Sequence, residues 1–334
     1  MNIGLDIGGA NIKAFDGSNA YHIPFALWQA PESLSAVLGR ELPGQPKNVF
    51  VTMTGELCDC FESRRQGVCH IVDQVAGAFP NSDHHFYSTR GLFLKANTAQ
   101  DRWSEVASAN WHATAMDFCM CNADQSGVIV DVGSTTSDII PFRFGSVVAR
   151  GHDDLSRIRN GELIYSGLSR TPISSVVSTV GLDGVTRRLA FEFFASMCDA
   201  YLLAGLLTTS SLSLKTADGR PLEVEFSKRR LARLLCSEPE SLPEELLIEI
   251  ARLAVDVQLQ EITKSISDQL QHHELDPLVV IAGESPDTIR RGLQSLEQRS
   301  GNGTKITFQE MDLLRGRTAA AQAVLRIGLS SAMS

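Results

Sequence analysis

The chain lacks any long apolar run, any surplus of positive charge and any cysteine pair at the usual zinc spacing. Each absence removes a class of function. Thirty Lys and Arg against 39 Asp and Glu leave a formal net charge of −9, with no basic stripe. That balance argues against a nucleic-acid partner. The most apolar later stretch, residues 201–214, is broken by Thr208, Thr209, Ser210, Ser211 and Ser213 and is too short to span a bilayer, so no membrane partner is expected. The first residues show no basic region followed by an apolar run, so no secretory leader is expected and the cytoplasm is the expected compartment.

Seven cysteines, an odd number, read as reduced thiols. Cys58/Cys60 and Cys119/Cys121 form two Cys-x-Cys pairs, with Cys69, His70, His84 and His85 nearby in sequence. Alternate residues of a strand point to opposite faces, and structural zinc sites use wider spacing. Packing as small apolar groups is the plain alternative to a thiol metal site. There is also no low-complexity linker, so at 334 residues the chain suits two intimately joined domains. An apolar share of 43% and a charged share of 21% are those of a globular protein.

What the chain does contain is one device written twice. Ile3-Gly4-Leu5-Asp6-Ile7-Gly8-Gly9-Ala10-Asn11-Ile12-Lys13 aligns with Val128-Ile129-Val130-Asp131-Val132-Gly133-Ser134-Thr135-Thr136-Ser137-Asp138. Both are an apolar strand followed by Asp-x-Gly-x-x-[Asn/Thr]-x-[Lys/Asp]. The repeat extends into a hairpin each time, through Asp16-Gly17 in the first copy and Gly145-Ser146 in the second. A strand that ends in a carboxylate and turns through glycine can present backbone N–H groups to an anion. Two such turns facing one another would clamp a polyphosphate while their aspartates held its metal ion.

Between the copies, the sequence predicts a helix at residues 31–40, a strand at 48–52, helices at 61–79 and 98–121, and a strand near 86–88. This alternation implies α/β domains with mixed sheets. A boundary is expected near residues 122–126, giving domains 1–124 and 125–334. From residue 187 to 264 the pattern turns mainly helical, with an insertion at about 185–273. Ser241-Leu242-Pro243-Glu244 reads as a capping box, followed by an apolar face of Leu246, Ile250, Leu253 and Val257. The insertion either shapes the substrate side or serves only to pack, with a homodimer as one expected use. A strand at 278–282, a helix at 286–297, a strand at 306–308 and a closing helix at 313–325 complete the reading.

On these residues the chain resembles the actin-like ATPase superfamily, which includes sugar kinases, heat-shock chaperones and hydantoinase/oxoprolinase proteins. The resemblance implies a duplicated, ribonuclease H-like α/β fold of two domains with a cleft between them. Asp6 to Lys13 resembles the first phosphate motif of that superfamily and Asp131 to Asp138 the second. Val279 to Ser285 fits the position of its nucleoside-side turn, though with one glycine where many members have two or three. Thr52-Met53-Thr54-Gly55-Glu56-Leu57-Cys58-Asp59-Cys60-Phe61, Ala109 to Ala115 and Tyr165-Ser166-Gly167-Leu168-Ser169-Arg170-Thr171-Pro172 look like hydantoinase A-like segments. Together they resemble short, stand-alone members linked to tetrahydromethanopterin-dependent one-carbon transfer. Some members of that branch act in methanofuran assembly, joining an aminomethyl-furan methyl diphosphate to the phenol of γ-glutamyltyramine and releasing pyrophosphate.

The site expected from these readings has Asp6 and Asp131 on Mg²⁺, directly or through water. Gly8, Gly9, Gly133 and Ser134 offer amides, and Asn11, Thr135 and Thr136 add side-chain donors. Lys13 either meets the terminal phosphate or is a solvated surface residue, and Arg170 is a further cation for the phosphorylated small-molecule substrate. Asp59 is the candidate base for the phenol proton, with a turn or cap carboxylate as its alternative. Asn110 is expected to orient substrate, in a cluster with Trp111 and His112 that could equally be core. Gly283 and Glu284 complete the substrate-side candidates. ATP is the rival occupant, for an oxoprolinase-like step or phosphorylation of a metabolite; a non-catalytic nucleotide-binding protein is the third reading.

Overall fold

The computed structural model describes residues 1–207, 216–283, 285–300, 306–311 and 318–331. The chain opens with β1 (Asn2–Ile7), β2 (Asn11–Phe15) and β3 (Ala20–Pro24), then α1 (Leu34–Glu41), β4 (Asn48–Met53), α2 (Arg64–Ala78), β5 (Asp83–Tyr87) and β6 (Phe93–Leu94). Three helices follow: α3 (Ala96–Asp101), α4 (Trp103–Val106) and α5 (Asn110–Cys121). The second copy of the repeat supplies β7 (Ser126–Val132), β8 (Ser137–Arg143) and β9 (Ser146–Val147). Then come α6 (Asp154–Arg159), β10 (Leu163–Ile164), α7 (Ile173–Val176), β11 (Thr179–Leu182), β12 (Val185–Arg188), α8 (Met197–Leu203), α9 (Val224–Arg233) and α10 (Glu244–His272). Last are β13 (Leu278–Gly283), α11 (Pro286–Ser300), β14 (Thr307–Glu310) and α12 (Ala319–Ser331).

These elements form two compact units. The first is Met1–Gln125 and Phe142–Arg157 with α12; the second is the described part of Ser126–Pro141 and Ile158–Met311. Two pieces beyond residue 125 thus group with the first unit. For α12 the reason is apolar: Val324, Leu325 and Ile327 bury beside Phe50, Tyr87, Ala109 and Ala113.

In the first unit the sheet runs β3-β2-β1-β4-β5-β6. β1 pairs antiparallel with β2 and parallel with β4, which places Asp6 opposite Lys13 on one side and Thr52 on the other. Except for Asn2 and Asn48, β1 and β4 are buried throughout, as expected of central strands covered on both faces. The second sheet runs β10-β8-β7-β13-β14, with β9 also on β8, and β13 is parallel to both β7 and β14. In both, the hairpin strand lies beside the carboxylate-bearing strand and two parallel strands continue the sheet on the other side. The fold is therefore α/β and duplicated, as the resemblance implies.

Some local expectations are corrected. The helix expected over 98–121 is three helices, interrupted at Arg102 and again around Ser108, whose φ of 50° is left-handed. The expected capping box at Ser241 is absent: Ser241 closes a short 3₁₀ turn, and α10 starts after Pro243 with no side-chain cap. A capping box does exist at Ser196, whose N–H and side chain exchange hydrogen bonds with the Asp199 carboxylate and backbone at the start of α8. The β11–β12 hairpin lies where helix was expected to begin; Asp183 and Gly184, at φ of 53° and 71°, form its turn. On α10, Leu246 and Ile250 are buried, but Leu253 and Val257 only partly. The closing helix begins at Ala319; residues 313–317 of the expected span lie outside the described residues. Among the described residues no helix is long and apolar enough to cross a membrane.

Candidate active site

The two copies of the repeat close their turns by the same hydrogen bond. Gly8 N–H donates to the Asn11 carbonyl at 3.0 Å, and Gly133 N–H donates to the Thr136 carbonyl at 2.9 Å. Those two amides, expected as donors to a phosphate, are engaged in closing the turn. The amides of Gly9 and Ala10, and at the matching positions Ser134 and Thr135, have no acceptor among the described residues. Successive N–H groups left open on a tight turn form an anion-binding concavity. Ala10 was missed at the sequence level because it carries no polar side chain.

Asp6 is the next-to-last residue of β1, with its side chain almost wholly buried. Its Oδ2 accepts from Lys13 Nζ at 3.0 Å, while its Oδ1 is buried with no hydrogen-bond partner among the described residues. Lys13 is thus spent first on Asp6. A carboxylate oxygen removed from water with no donor is costly. A hard cation, or water bound to one, satisfies such an oxygen, so the residue fits the expected Mg²⁺. No group of three or more His, Cys, Asp or Glu side chains among the described residues is gathered for a metal. Mg²⁺ is commonly held by one or two carboxylates, with water and phosphate oxygens completing the shell. Asp131 is half-buried on β7, opposite Ala282 of β13.

Each loop is braced by a separate segment of its own unit. In the first, Thr54 N–H donates to the Ile7 carbonyl at 2.9 Å. A Cβ on Gly9 would stand 2.8 Å from the Cys58 Sγ, so that thiol lies against the loop. Partial burial raises the Cys58 thiol to about 11, which keeps it protonated and apolar in behaviour. Of the other thiols in the two Cys-x-Cys pairs, Cys60 and Cys121 are exposed, and Cys119 is buried and pushed up to about 12.

In the second unit the brace is the strap 166–171. Leu168 N–H donates to the Gly133 carbonyl at 2.9 Å, and the Ser169 and Arg170 amides donate to the Ser134 carbonyl at 3.2 and 2.8 Å. Gly167 passes so close that a Cβ there would sit 2.6 Å from the Gly133 oxygen, the Ser134 carbonyl carbon and the Thr135 nitrogen. The strap leaves the Arg170 side chain exposed next to the loop.

The remaining candidates separate into exposed and structural positions. Asp59 is exposed on a turn just after the 3₁₀ turn Gly55–Leu57. The buried carboxylate of that segment is Glu56, which accepts from Ser108 Oγ at 2.8 Å and Arg64 Nη2 at 3.4 Å. Burial raises its proton affinity, against the pull of Ser108 and Arg64. Sequence reasoning passed over Glu56, since nothing in the motif separates a buried carboxylate from an exposed one three residues later. Asn110 is the half-buried first residue of α5. Trp111 and His112 behave as core: the Arg157 guanidinium stacks 3.8 Å from the Trp111 ring centroid, and His112 Nδ1 is 2.9 Å from the Tyr87 hydroxyl. Gly283 has φ of 105°, and a Cβ there would fall 2.3 Å from the Val132 carbonyl oxygen. Strand packing within the second unit already requires that glycine. Glu284 lies outside the described residues.

Burial, with smaller contributions from His152 and Arg157, lowers the His112 pKa from 6.5 to about 4. The unfolded chain then takes up this proton near pH 6.5 and the folded chain only near 4. The stability that neutral His112 confers is present above pH 6.5 and is lost as the pH falls toward 4, by roughly 3 kcal/mol. Urea unfolding at pH 7 and pH 4.5 is expected to show that loss, and His112→Gln to reduce it. Equal acid sensitivity in wild type and variant would assign the effect to other groups.

Residues 48–297 match the hydantoinase/oxoprolinase family. The chain is 32% identical over 297 residues, 88% of each chain, to a Methanocaldococcus jannaschii protein named (4-{4-[2-(γ-L-glutamylamino)ethyl]phenoxymethyl}furan-2-yl)methanamine synthase. A Methanococcus vannielii protein of the same name is 30% identical over 184 residues, 54% of this chain and 80% of that one. Among solved structures, component A of the Acidaminococcus fermentans (R)-2-hydroxyglutaryl-CoA dehydratase superposes with a TM-score of 0.42 at 12% identity, over 99% of this chain and 98% of that one.

Proposed function

The chain belongs to the hydantoinase/oxoprolinase family, and we propose that it is the enzyme forming the phenoxymethylfuran ether of methanofuran assembly in tetrahydromethanopterin-linked one-carbon metabolism. It would condense an aminomethyl-furan methyl diphosphate with a γ-glutamyltyramine-type phenol, a transferase reaction with pyrophosphate as leaving group. The observation that carries this reading is the 32% identity spread over 88% of both chains to a synthase named for that ether. The paired loops support it, because each offers two adjacent open amides after a strand whose next-to-last residue is a carboxylate.

In this proposal the C–O bond between the furan-methyl carbon and the diphosphate breaks, and its electron pair leaves with pyrophosphate. The furan stabilises the carbon cation, so the barrier is mainly the charge developing on the leaving oxygen. The amides of Gly9, Ala10, Ser134 and Thr135, already fixed by their turns, receive that charge without reorganising. Asn11, Thr135 and Thr136 add side-chain donors, and Arg170, exposed beside the second loop, adds a mobile cation. Asp6 and Asp131 would hold Mg²⁺, which when bound supplies further charge stabilisation at the phosphate oxygens. The phenol oxygen attacks the carbon, and Asp59, solvent-facing on its turn, accepts the phenol proton as the ether forms. Asn110 orients the phenol.

The rival occupant is ATP, and the packing of Gly283 against Val132 accounts for that glycine without an adenine. Incubation with Mg²⁺, the furan diphosphate and γ-glutamyltyramine, followed by mass spectrometry, tests the proposal. Ether and pyrophosphate in equal amounts without ATP are expected. Product formation that requires ATP, or none from the diphosphate, contradicts it.

A further inference from the structure

The helical insertion carries two glutamines on the buried side of α10. Gln258 and Gln269 are each at most 1% exposed, although glutamine is rarely fully buried. They stand eleven residues apart, about three helical turns, and so share one face. Both reach the same neighbouring stretch of chain. Gln269 Nε2 donates to the Asn160 carbonyl at 2.8 Å. Gln258 Nε2 donates to Ser166 Oγ at 2.6 Å and to the Gly167 carbonyl at 3.1 Å.

The contacts continue in both directions from Gln258. Its Oε1 accepts from the Tyr201 hydroxyl of α8 at 2.9 Å, and Tyr201 is wholly buried. On the far side, the Ser166 carbonyl accepts from Ser137 Oγ at 2.7 Å, at the first residue after the second loop. Gly167 N–H donates to Thr171 Oγ1 at 2.8 Å, which pins the strap at its own end. The strap then holds the Gly133 and Ser134 carbonyls through the amides of Leu168, Ser169 and Arg170. From the Tyr201 hydroxyl to the Ser134 carbonyl, every polar atom named has a partner. A fully satisfied buried network fixes one arrangement, whereas a broken one leaves a costly orphan.

We infer that Gln258, oriented by Tyr201, is a positioning residue for the second phosphate loop. Through the strap it sets where the Ser134 and Thr135 amides point and where Arg170 is delivered. The insertion thereby has a definite role, with α8 and α10 as the frame against which that loop is registered. Gln258 touches no substrate and acts through Ser166 and Gly167. The inference rests on the proposed diphosphate chemistry for its kinetic consequence, but its structural consequence can be read without any substrate.

Four proteins test it: wild type, Gln258→Met, which keeps the shape and removes both amide functions, Gln258→Glu, and Tyr201→Phe, which removes one hydroxyl. Backbone amide exchange is followed by mass spectrometry, and pyrophosphate binding with Mg²⁺ by calorimetry. In Gln258→Met, exchange is expected to quicken in peptides covering 133–136 and 166–170 and to stay unchanged in those covering residues 8–11. Pyrophosphate affinity should fall about 10-fold in Gln258→Met and about threefold in Tyr201→Phe, the scale of one or two lost hydrogen bonds. In turnover, KM for the diphosphate substrate should rise while KM for the phenol does not. Gln258→Glu, which retains an acceptor for Tyr201 but loses the donor to Gly167, should resemble Gln258→Met.

Unchanged exchange in the strap and loop would overturn the inference, as would a fall in thermal stability with unaltered pyrophosphate affinity. If Gln258→Met does not fold, Tyr201→Phe decides by the same two readouts. Wild-type protein that fails to bind pyrophosphate would count against the proposed function instead. The exchange comparison would then still decide the role of Gln258.

Discussion

Asp131→Asn is expected to lower turnover by at least the ~10²- to 10³-fold that removal of one preorganised stabilising group costs. The fold should survive. Asp131 is half-buried on β7, and Asn keeps its shape, so the midpoint of thermal unfolding should move by only a few degrees. The same exchange at position 6 is a poorer test. Asp6 is buried and paired with Lys13 at 3.0 Å, so Asp6→Asn also weakens that ion pair and costs stability. Steady-state rates and a thermal melt on Asp131→Asn check the point. A variant with wild-type turnover would remove Asp131 from the set of metal ligands.

Gly167→Val is expected to be nearly as damaging, for a steric reason. The added Cβ would lie 2.6 Å from three backbone atoms of residues 133–135, none of which can swing aside as a side-chain tip can. Strap and loop must part by about 1 Å to reach ordinary contact distance, and a shift of that size near reacting groups costs roughly 10²-fold. The accompanying overpacking should cost about 1–3 kcal/mol of stability. Gly167→Ala should show a smaller loss of the same kind. Gly181→Ala is the control, because a Cβ at Gly181 has nothing within 4 Å. Rates measured against the diphosphate and the phenol separately locate the defect. Wild-type kinetics in Gly167→Val would mean that the strap does not set the loop.

The repeat was readable because its physics is local. A strand ending in Asp-x-Gly and running into a hairpin specifies its own turn, and the hydrogen bonds of Gly8 and Gly133 confirm the match residue by residue. The strands that lie parallel to β1 and β7 were also legible as elements, being apolar runs at residues 48–52 and 278–282, though their order in the sheets was not. What the sequence did not disclose was who packs against whom. Ser108, at the break, donates its hydroxyl to Glu56, which lies 52 positions earlier. The failed capping box at Ser241 and the real one at Ser196 contain similar residues, and only packing around α8 and α10 separates them.

In the candidate site, the two turns were legible but the hydrogen bonding of their atoms was not. Gly8 and Gly133 were singled out correctly as turn residues, yet their amides close the turn and the open donors belong to the next two positions. Lys13 was weighed as a phosphate contact or a surface residue, and its ion pair with Asp6 across the β1–β2 pair was not foreseen. The strap motif 165–172 stood out only by resemblance, and its contact with residues 133–135 required coordinates. Gln258 left a trace in the sequence: an amide between Val255, Leu259 and Ile262 on an apolar helix face is a buried polar group in want of a partner.

In the proposed function the paired loops serve a diphosphate and not a nucleotide. Isothermal calorimetry with pyrophosphate, ADP and ATP, each with Mg²⁺, addresses it most directly. Pyrophosphate binding that is weakened by Asp131→Asn, with no gain in affinity from the adenosine moiety, is the predicted result. ATP or ADP binding much more tightly than pyrophosphate would contradict it.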